Sequence, residues 1–517
     1  MKKIKSERVD NSLKLIVKSS FVVFAFIILS KILTFVYRIL IARYYGAETY
    51  GIITLTLVVV GIVVTLASLG IPQGVMRFVP GYRGEGEQKK IKYILQVSSK
   101  ILIITSLSAS VILFIFSDYL AVKIFESEEL GMFLRIFSML VPLWVLSNFF
   151  MTTLTALEKI GVSSFLNNVV LNAIKTTILV VLILWGIGQE AVVYSYYIGY
   201  VFLFASSFFI FRRYVSVYFK KKIRKKEYKE VFRNFYSYSW PLVLVGIIWQ
   251  VFYWADSLTI GYFLGVENVG VYNVAVPLVL FFSLAPEIFS KLFFPLINRM
   301  RGEKNFGEAK QISQQIAKWI FMINFPLLIL VLFFPEQIIS AMFGNDFVVA
   351  KNALRILAVG SFVFAQAQPS RLLILASGKS KIILKTVIIT AIIDILLNII
   401  LIPRIGIIGA ALSTMTMNLL LAGIFIFKAG HLTEAVPLKR RMFRVILASM
   451  LLVAGLEIAR SFFTLSFVSV IISGLVFVGA YVLLILFTGC LDKKDKMILR
   501  TIQKNILKRM KIKSSHC

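Results

Sequence analysis

Cysteine and histidine are almost missing from this chain, with two of each in 517 residues. Cys490 and Cys517 offer no disulfide framework, and His431 and His516 offer no zinc-ligand spacing, so neither a stapled secreted scaffold nor a metal centre is indicated. Charge is scarce as well: 16% of the residues are charged, and 25 acids stand against 57 Lys and Arg. So few charged groups cannot clothe an ordinary soluble protein of this length in water. No loop gathers the acid and base residues that bond-making chemistry needs, and no enzymatic site or cofactor is expected.

Hydrophobic residues are abundant, at 59% of the chain. Apolar runs of about 20 residues, enough to cross a hydrocarbon layer roughly 30 Å thick, recur along nearly the whole length. They predict an all-α polytopic membrane protein of about 14 transmembrane helices. The first spans run Ser19 to Ile41 and Tyr50 to Leu69, and the last two Phe443 to Ala459 and Phe462 to Phe487. The basic start, Met1 to Lys18, and the lack of a small-residue cleavage signature make the first span a retained helix.

The formal charge of +32 would point to nucleic acid in a soluble protein. Its distribution excludes that partner. About 47 of the 57 Lys and Arg fall in the amino-terminal tail, in loops after even-numbered spans with the adjoining span ends, and in the carboxy-terminal tail, including Lys220, Lys221, Lys222, Arg224, Lys225 and Lys226. The positive-inside bias therefore places both termini in the cytoplasm and the Glu126, Glu128, Glu129 stretch outside, in a multi-pass cell-membrane protein. Membrane lipids, anionic headgroups among them, are the expected neighbours of the basic loops.

The chain repeats itself at a spacing of about 219 residues. Gly46, Glu48 and Gly51 fall on Gly265, Glu267 and Gly270; Ala156 to Lys159 falls on Ala376 to Lys379, and Ala191 on Ala411. Glycine at these places predicts tight helix-to-helix turns. An even number of helices per unit returns the second copy in the same orientation, so the repeats are parallel, as in transporters that rock around a central site. The expected organisation is a lobe over residues 1–235, a second lobe over 236–435, and a helix pair with a basic cytoplasmic tail over 436–517.

The stretch from Arg38 through Arg43, Tyr44, Tyr45, Gly46, Ala47, Glu48 and Thr49 to Gly51, followed by Leu69, Gly70, Ile71 and Pro72, resembles polysaccharide and oligosaccharide flippases of the multidrug/oligosaccharidyl-lipid/polysaccharide exporter superfamily. Ile402, Pro403, Arg404, Ile405, Gly406 and onward to Ala411 resembles that family's turn between the eleventh and twelfth helices. The resemblance implies alternating access and a polyprenyl- or dolichyl-linked glycan carried on a (pyro)phosphate. Transport would run from the inner to the outer leaflet, in building cell-surface polysaccharide or glycan. A proton or sodium ion is the candidate coupling partner.

Charge inside a span costs about 2.5 to 3.5 kcal/mol, so each such residue needs a partner or a task. Lys31 and Arg38, seven apart, share a helical face about 10 Å along its axis. They suit a diphosphate headgroup, Arg38 by bidentate hydrogen bonds and Lys31 as a point charge; the plainer reading is a local pair and a snorkelling arginine. The repeat offset maps Lys31 onto Gln250 and Tyr37 onto Asp256, making Gln250 a further substrate contact and Asp256 a gating acid that approaches Arg38, or a static partner for any nearby cation. Lys175 maps onto Asp394, with Asn168 and Asn172 on the face of one and Asn398 beyond the other. These read as polar packing inside the bundle, or as a coupling pair. Glu287 and Lys291 read as a local ion pair, and Pro241, Pro277 and Pro286 as kinks that act as hinges or simply shape the bundle.

Two other classes compete. A drug or cation exporter of the same superfamily would want acids in the first-half cavity, where no acid lies within an assigned span. A membrane-embedded glycan-processing enzyme would want a large outer loop.

Overall fold

The structure, a computed structural model, describes residues 2–219, 228–290, 297, 306–433 and 476, 477, 479–481 and 483. The elements of the first half are α1 (Lys2–Ala67), α2 (Ile71–Gly84), α3 (Gln88–Asp118), α4 (Glu128–Ser138), α5 (Leu140–Ala156), α6 (Ile160–Phe165), α7 (Leu171–Leu184) and α8 (Glu190–Phe219). Those of the second are α9 (Lys229–Ser239), α10 (Pro241–Leu264), α11 (Val266–Asn273), α12 (Ala275–Leu280), α13 (Phe306–Phe333), α14 (Pro335–Met342), α15 (Lys351–Ala376), α16 (Ser380–Ile405) and α17 (Ile407–Thr433). Single-turn π segments, Tyr119–Ile124 and Leu166–Val170, extend α3 and join α6 to α7. Helix throughout the described spans is what lipid demands, since it satisfies the backbone polar groups within each segment.

Ten described helices are long and apolar enough to cross a membrane, or eleven if α4 and α5, bent by 46°, form one broken span. The first of them, Ala25–Ala67, takes in most of two of the expected spans, separated by non-helical backbone at Gly46. Each of the first twelve expected spans thus falls on described helix. The final pair, Phe443 to Phe487, lies almost wholly outside the described residues, as do Lys291, the basic run 220–226 and both cysteines.

The repeat is written in the backbone. Gly46 has φ 81° and ψ −177°, and Gly265, its equivalent, φ 81° and ψ 173°. Only glycine enters this region without strain. Gly51 and Gly270 do something else, and the sequence expectation of a turn is corrected there: both sit inside helices where α1 crosses α11. A Cβ on Gly51 would lie 1.8 Å from the Val266 carbonyl oxygen, and one on Gly270 would lie 1.9 Å from that of Ala47. Each glycine thus accepts the backbone four residues before the other, a reciprocal crossing in which Ala47 and Gly51 form a small-xxx-small pair on α1.

The other family-like motifs are turns. Leu69 and Gly70, with φ of 46° and 64°, end α1, and Pro72 starts α2 without needing an N–H. Gly406 has φ 63°, and a Cβ on Gly409 would meet the Leu401 backbone at 2.6 Å.

The chain divides into two compact units, Met1–Val274 with Leu397–Ala410, and Ala275–Leu396 with Ala411–Cys517. The first unit's interior is aromatic: Tyr196 stands edge-on to Tyr37 and Phe137, and Trp144 lies against Tyr200. In the second, Ile316, Ile320, Ala365, Leu372 and Leu373 pack between α13 and α15, while Gly360 admits the Met415 backbone of α17. Apolar side chains such as Ile104, Ile115 and Leu184 stay exposed, as expected of surface that faces acyl chains.

Candidate functional site

The polar residues inside the first unit line one stripe of α1. Ser30, Lys31, Thr34, Tyr37 and Arg38 recur at three- and four-residue steps, which places them on one side of a helix. The face of α7 meets it. Asn172 donates to Ser30 Oγ at 2.9 Å and accepts from Thr34 Oγ1 at 3.2 Å, and its amide also reaches the Asn168 carbonyl at 3.0 Å. One turn on, Tyr37 and Ser195 of α8 share a hydrogen bond of 2.7 Å.

Lys175 completes this wall and is only 6% exposed. Its ammonium lies 4.5 Å from the centre of the Tyr37 ring and 4.9 Å from that of Tyr196. Cation–π attraction of about 0.5 to 2 kcal/mol per ring offsets only part of the loss of water. Among the described residues no carboxylate stands within ion-pairing distance of it, and two tyrosine faces flank the ammonium instead. Its repeat equivalent, Asp394, is 3% exposed on α16, one turn before the fully buried Asn398. Both are polar groups held inside the bundle.

Arg38 does not snorkel to an open surface. Its guanidinium donates to the Tyr50 hydroxyl at 3.5 Å, and that hydroxyl donates to the Asn273 carbonyl of α11 at 3.3 Å. The Asn273 side chain in turn bonds Ser257 of α10 at 3.0 Å. The neighbouring Asp256 is held by others: its carboxylate accepts from the Tyr272 hydroxyl, and from Asn398 Nδ2 at 2.8 Å. Arg38 and Asp256 therefore occupy adjoining ends of one polar network without pairing in this conformation.

Gln250 lies on α10, with its amide 3.1 Å from where a Cβ on Gly61 would stand, so it packs on the second arm of α1. Lys31 is half-buried on the first arm and has partners of its own. The residues that sequence reasoning missed are the hydroxyls: Ser30, Thr34, Tyr37, Tyr50, Ser195, Ser257 and Tyr272. For Ser30, Thr34 and Tyr37 the signal was present as a polar stripe at helical spacing beside Lys31 and Arg38. Uncharged hydroxyls cost little in an apolar run and so pass unnoticed there.

No group of three or more His, Cys, Asp or Glu among the described residues is placed to hold a metal ion.

Comparison with known proteins agrees with this architecture. Residues 16–301 match the family described as "Polysaccharide biosynthesis protein", and residues 241–400 match MatE. A putative O-antigen transporter of Shigella flexneri is 24% identical over 66% of this chain and 80% of its own length. A probable low-salt glycan biosynthesis flippase of Haloferax volcanii, Agl15, is 25% identical over 44% of this chain and 47% of its own. Among solved structures, the lipid II flippase MurJ in an inward closed conformation superposes with a TM-score of 0.67 at 17% identity, covering 92% of this chain and 99% of that one. An inward-facing multidrug resistance MATE transporter gives 0.65 at 14% identity over 80% of this chain and 98% of its own. These relatives are transporters and flippases, not enzymes. A family match over more than half of the chain, on a fold of tandem membrane helices, makes this protein a member of the polysaccharide biosynthesis protein family, among the flippases of the multidrug/oligosaccharidyl-lipid/polysaccharide exporter superfamily.

Proposed function

We propose that this protein flips a lipid-(pyro)phosphate-linked oligosaccharide from the inner to the outer leaflet of the cell membrane by alternating access, in the assembly of a cell-surface polysaccharide or glycan. The observation that carries the reading is the excess of positive charge within the membrane spans of the first half. Lys31, Arg38 and Lys175 lie within its spans and no acid does. A cation within a membrane span is costly, and an anionic headgroup entering the site offsets that cost. In this reading Lys31 and Arg38 hold the phosphates, and Gln250 adds an amide contact. Asp256 gates, and Lys175 and Asp394 serve coupling to a proton or sodium ion.

The basic loops support an orientation with both termini in the cytoplasm. The lobes proposed from the repeat are residues 1–235 and 236–435, with 436–517 as the appended pair and tail. An export function for cationic drugs is disfavoured by the same charge, because three cations repel such a substrate.

The test is reconstitution in liposomes carrying a fluorescent lipid-linked oligosaccharide diphosphate, with appearance of the probe on the opposite leaflet as the signal. Wild type moves it and Lys31→Gln loses most of that movement. A wild type that leaves this lipid in place but moves a cationic dye would reject the reading in favour of drug export.

A further inference from the structure

Tyr50 stands at an unusual point. It precedes Gly51 at the α1–α11 crossing, and its hydroxyl bonds a backbone carbonyl at the end of α11, that of Asn273. Were the helix continuous past Val274, this carbonyl would receive the N–H four residues on. Here that residue is Pro277, which has none, so that bond cannot form and the Asn273 carbonyl takes the Tyr50 hydroxyl from outside the helix. The helix breaks at Val274, between α11 and α12, and the first compact unit also ends there. A single hydroxyl can accept and donate together, so Tyr50 takes the Arg38 guanidinium on one side while giving its proton to Asn273 on the other.

We infer that Tyr50 and the Asn273 carbonyl freed by Pro277 form a latch that holds the α1–α11 crossing shut, and that Arg38 reports to it the arrival of an anionic headgroup. The inference rests on the function proposed above for its headgroup arm only. Tyr50 is a positioning residue here: it touches no substrate. A phosphate at Arg38 competes for the guanidinium that Tyr50 accepts, weakening the polarised chain to Asn273. The crossing, which lies at the outer end in the proposed orientation, then has less to keep it closed. The packing of Gly51 on Gly270 at the crossing is of bare backbone and is lost steeply with separation.

The experiment uses the full chain in proteoliposomes, with Cys490 and Cys517 replaced by serine and a reporter at Thr54→Cys, a buried position one turn beyond Tyr50. Labelling by a membrane-impermeant maleimide from the outer side reads how often the crossing opens. Tyr50→Phe, which keeps the ring, raises the labelling rate about fivefold, the scale of one neutral hydrogen bond. Pro277→Ala supplies the missing N–H, competes for the same carbonyl and raises labelling similarly. Combined with Tyr50→Phe it adds nothing further, because both act on one bond.

Independent, additive effects of the two variants, or labelling unchanged in Tyr50→Phe, would overturn the latch. Adding a lipid-linked oligosaccharide diphosphate speeds labelling of the Tyr50-bearing reporter protein and leaves Tyr50→Phe unmoved. If the lipid has no effect while the two variants behave as stated, the latch stands and the proposed substrate fails.

Discussion

The sharpest consequence of the fold concerns Gly51. Replacing it with alanine puts a Cβ 1.8 Å from the Val266 carbonyl oxygen and 2.8 Å from the Gly270 nitrogen. Carbon and oxygen tolerate about 3.3 Å at closest comfortable approach, so α1 and α11 must part by roughly 1.5 Å at this point. Both obstacles are backbone, and no rotamer change relieves them. Forced overpacking of this kind costs about 1 to 3 kcal/mol. Gly270→Ala meets the Ala47 carbonyl at 1.9 Å and carries the same cost.

The two sites share one crossing, so helices already parted by the first alanine accept the second cheaply. The double variant is expected to lose at least about 0.5 kcal/mol less than the sum of the singles. Thermal unfolding of the purified protein in detergent, followed by intrinsic fluorescence, gives the four corners of the cycle. Gly81→Ala is the control: it lies inside α2 with open space around its Cβ, and it is expected to be neutral or slightly stabilising. If Gly51→Ala unfolds with Gly81→Ala and wild type, or if the two crossing variants add fully, the reciprocal contact is not as described.

Other outcomes follow from the same geometry. Gly46→Ala and Gly265→Ala each strain a backbone with φ 81° and are expected to cost about 1 to 3 kcal/mol by the same unfolding assay. Lys175→Met removes a buried ammonium that has ring faces but no carboxylate beside it; melting is expected to hold or rise while flipping of the anionic lipid falls, and a strong loss of stability would mean that the rings hold the cation better than reasoned. Asp256→Asn keeps one acceptor oxygen, for Asn398, and turns the other into an amide donor toward the Tyr272 hydroxyl, which can rotate to accept; the charge is lost, so transport is expected to fall with little change in melting, and unaltered transport removes the gate role. Arg135→Gln breaks an exposed pair with Asp118 and is expected to leave both melting and transport unchanged.

The sequence by itself settled the solvent, the class and the repeat, because each rests on composition and spacing. Long apolar runs leave no option but helix in lipid, and the 219-residue offset needs only matching letters. It also found the charged residues worth watching, since Lys31, Arg38, Lys175, Asp256 and Asp394 stand out against apolar neighbours. Their partners were another matter. Opposite charges at equivalent places invited pairs, yet Lys175 rests on Tyr37 and Tyr196, and Arg38 turns to Tyr50, because packing brings α7 and α8 against one stripe of α1.

The glycines divide the same way. Gly46 and Gly265 were legible as turns because the need for positive φ is local. Gly51 and Gly270 were not, because a missing Cβ means close approach only when a second helix arrives, and which helix arrives is decided by the tertiary fold. Pro277 shows the limit most plainly: the sequence foretold a disturbed helix, while the hydroxyl that claims the freed carbonyl comes from a residue 223 positions away from Asn273.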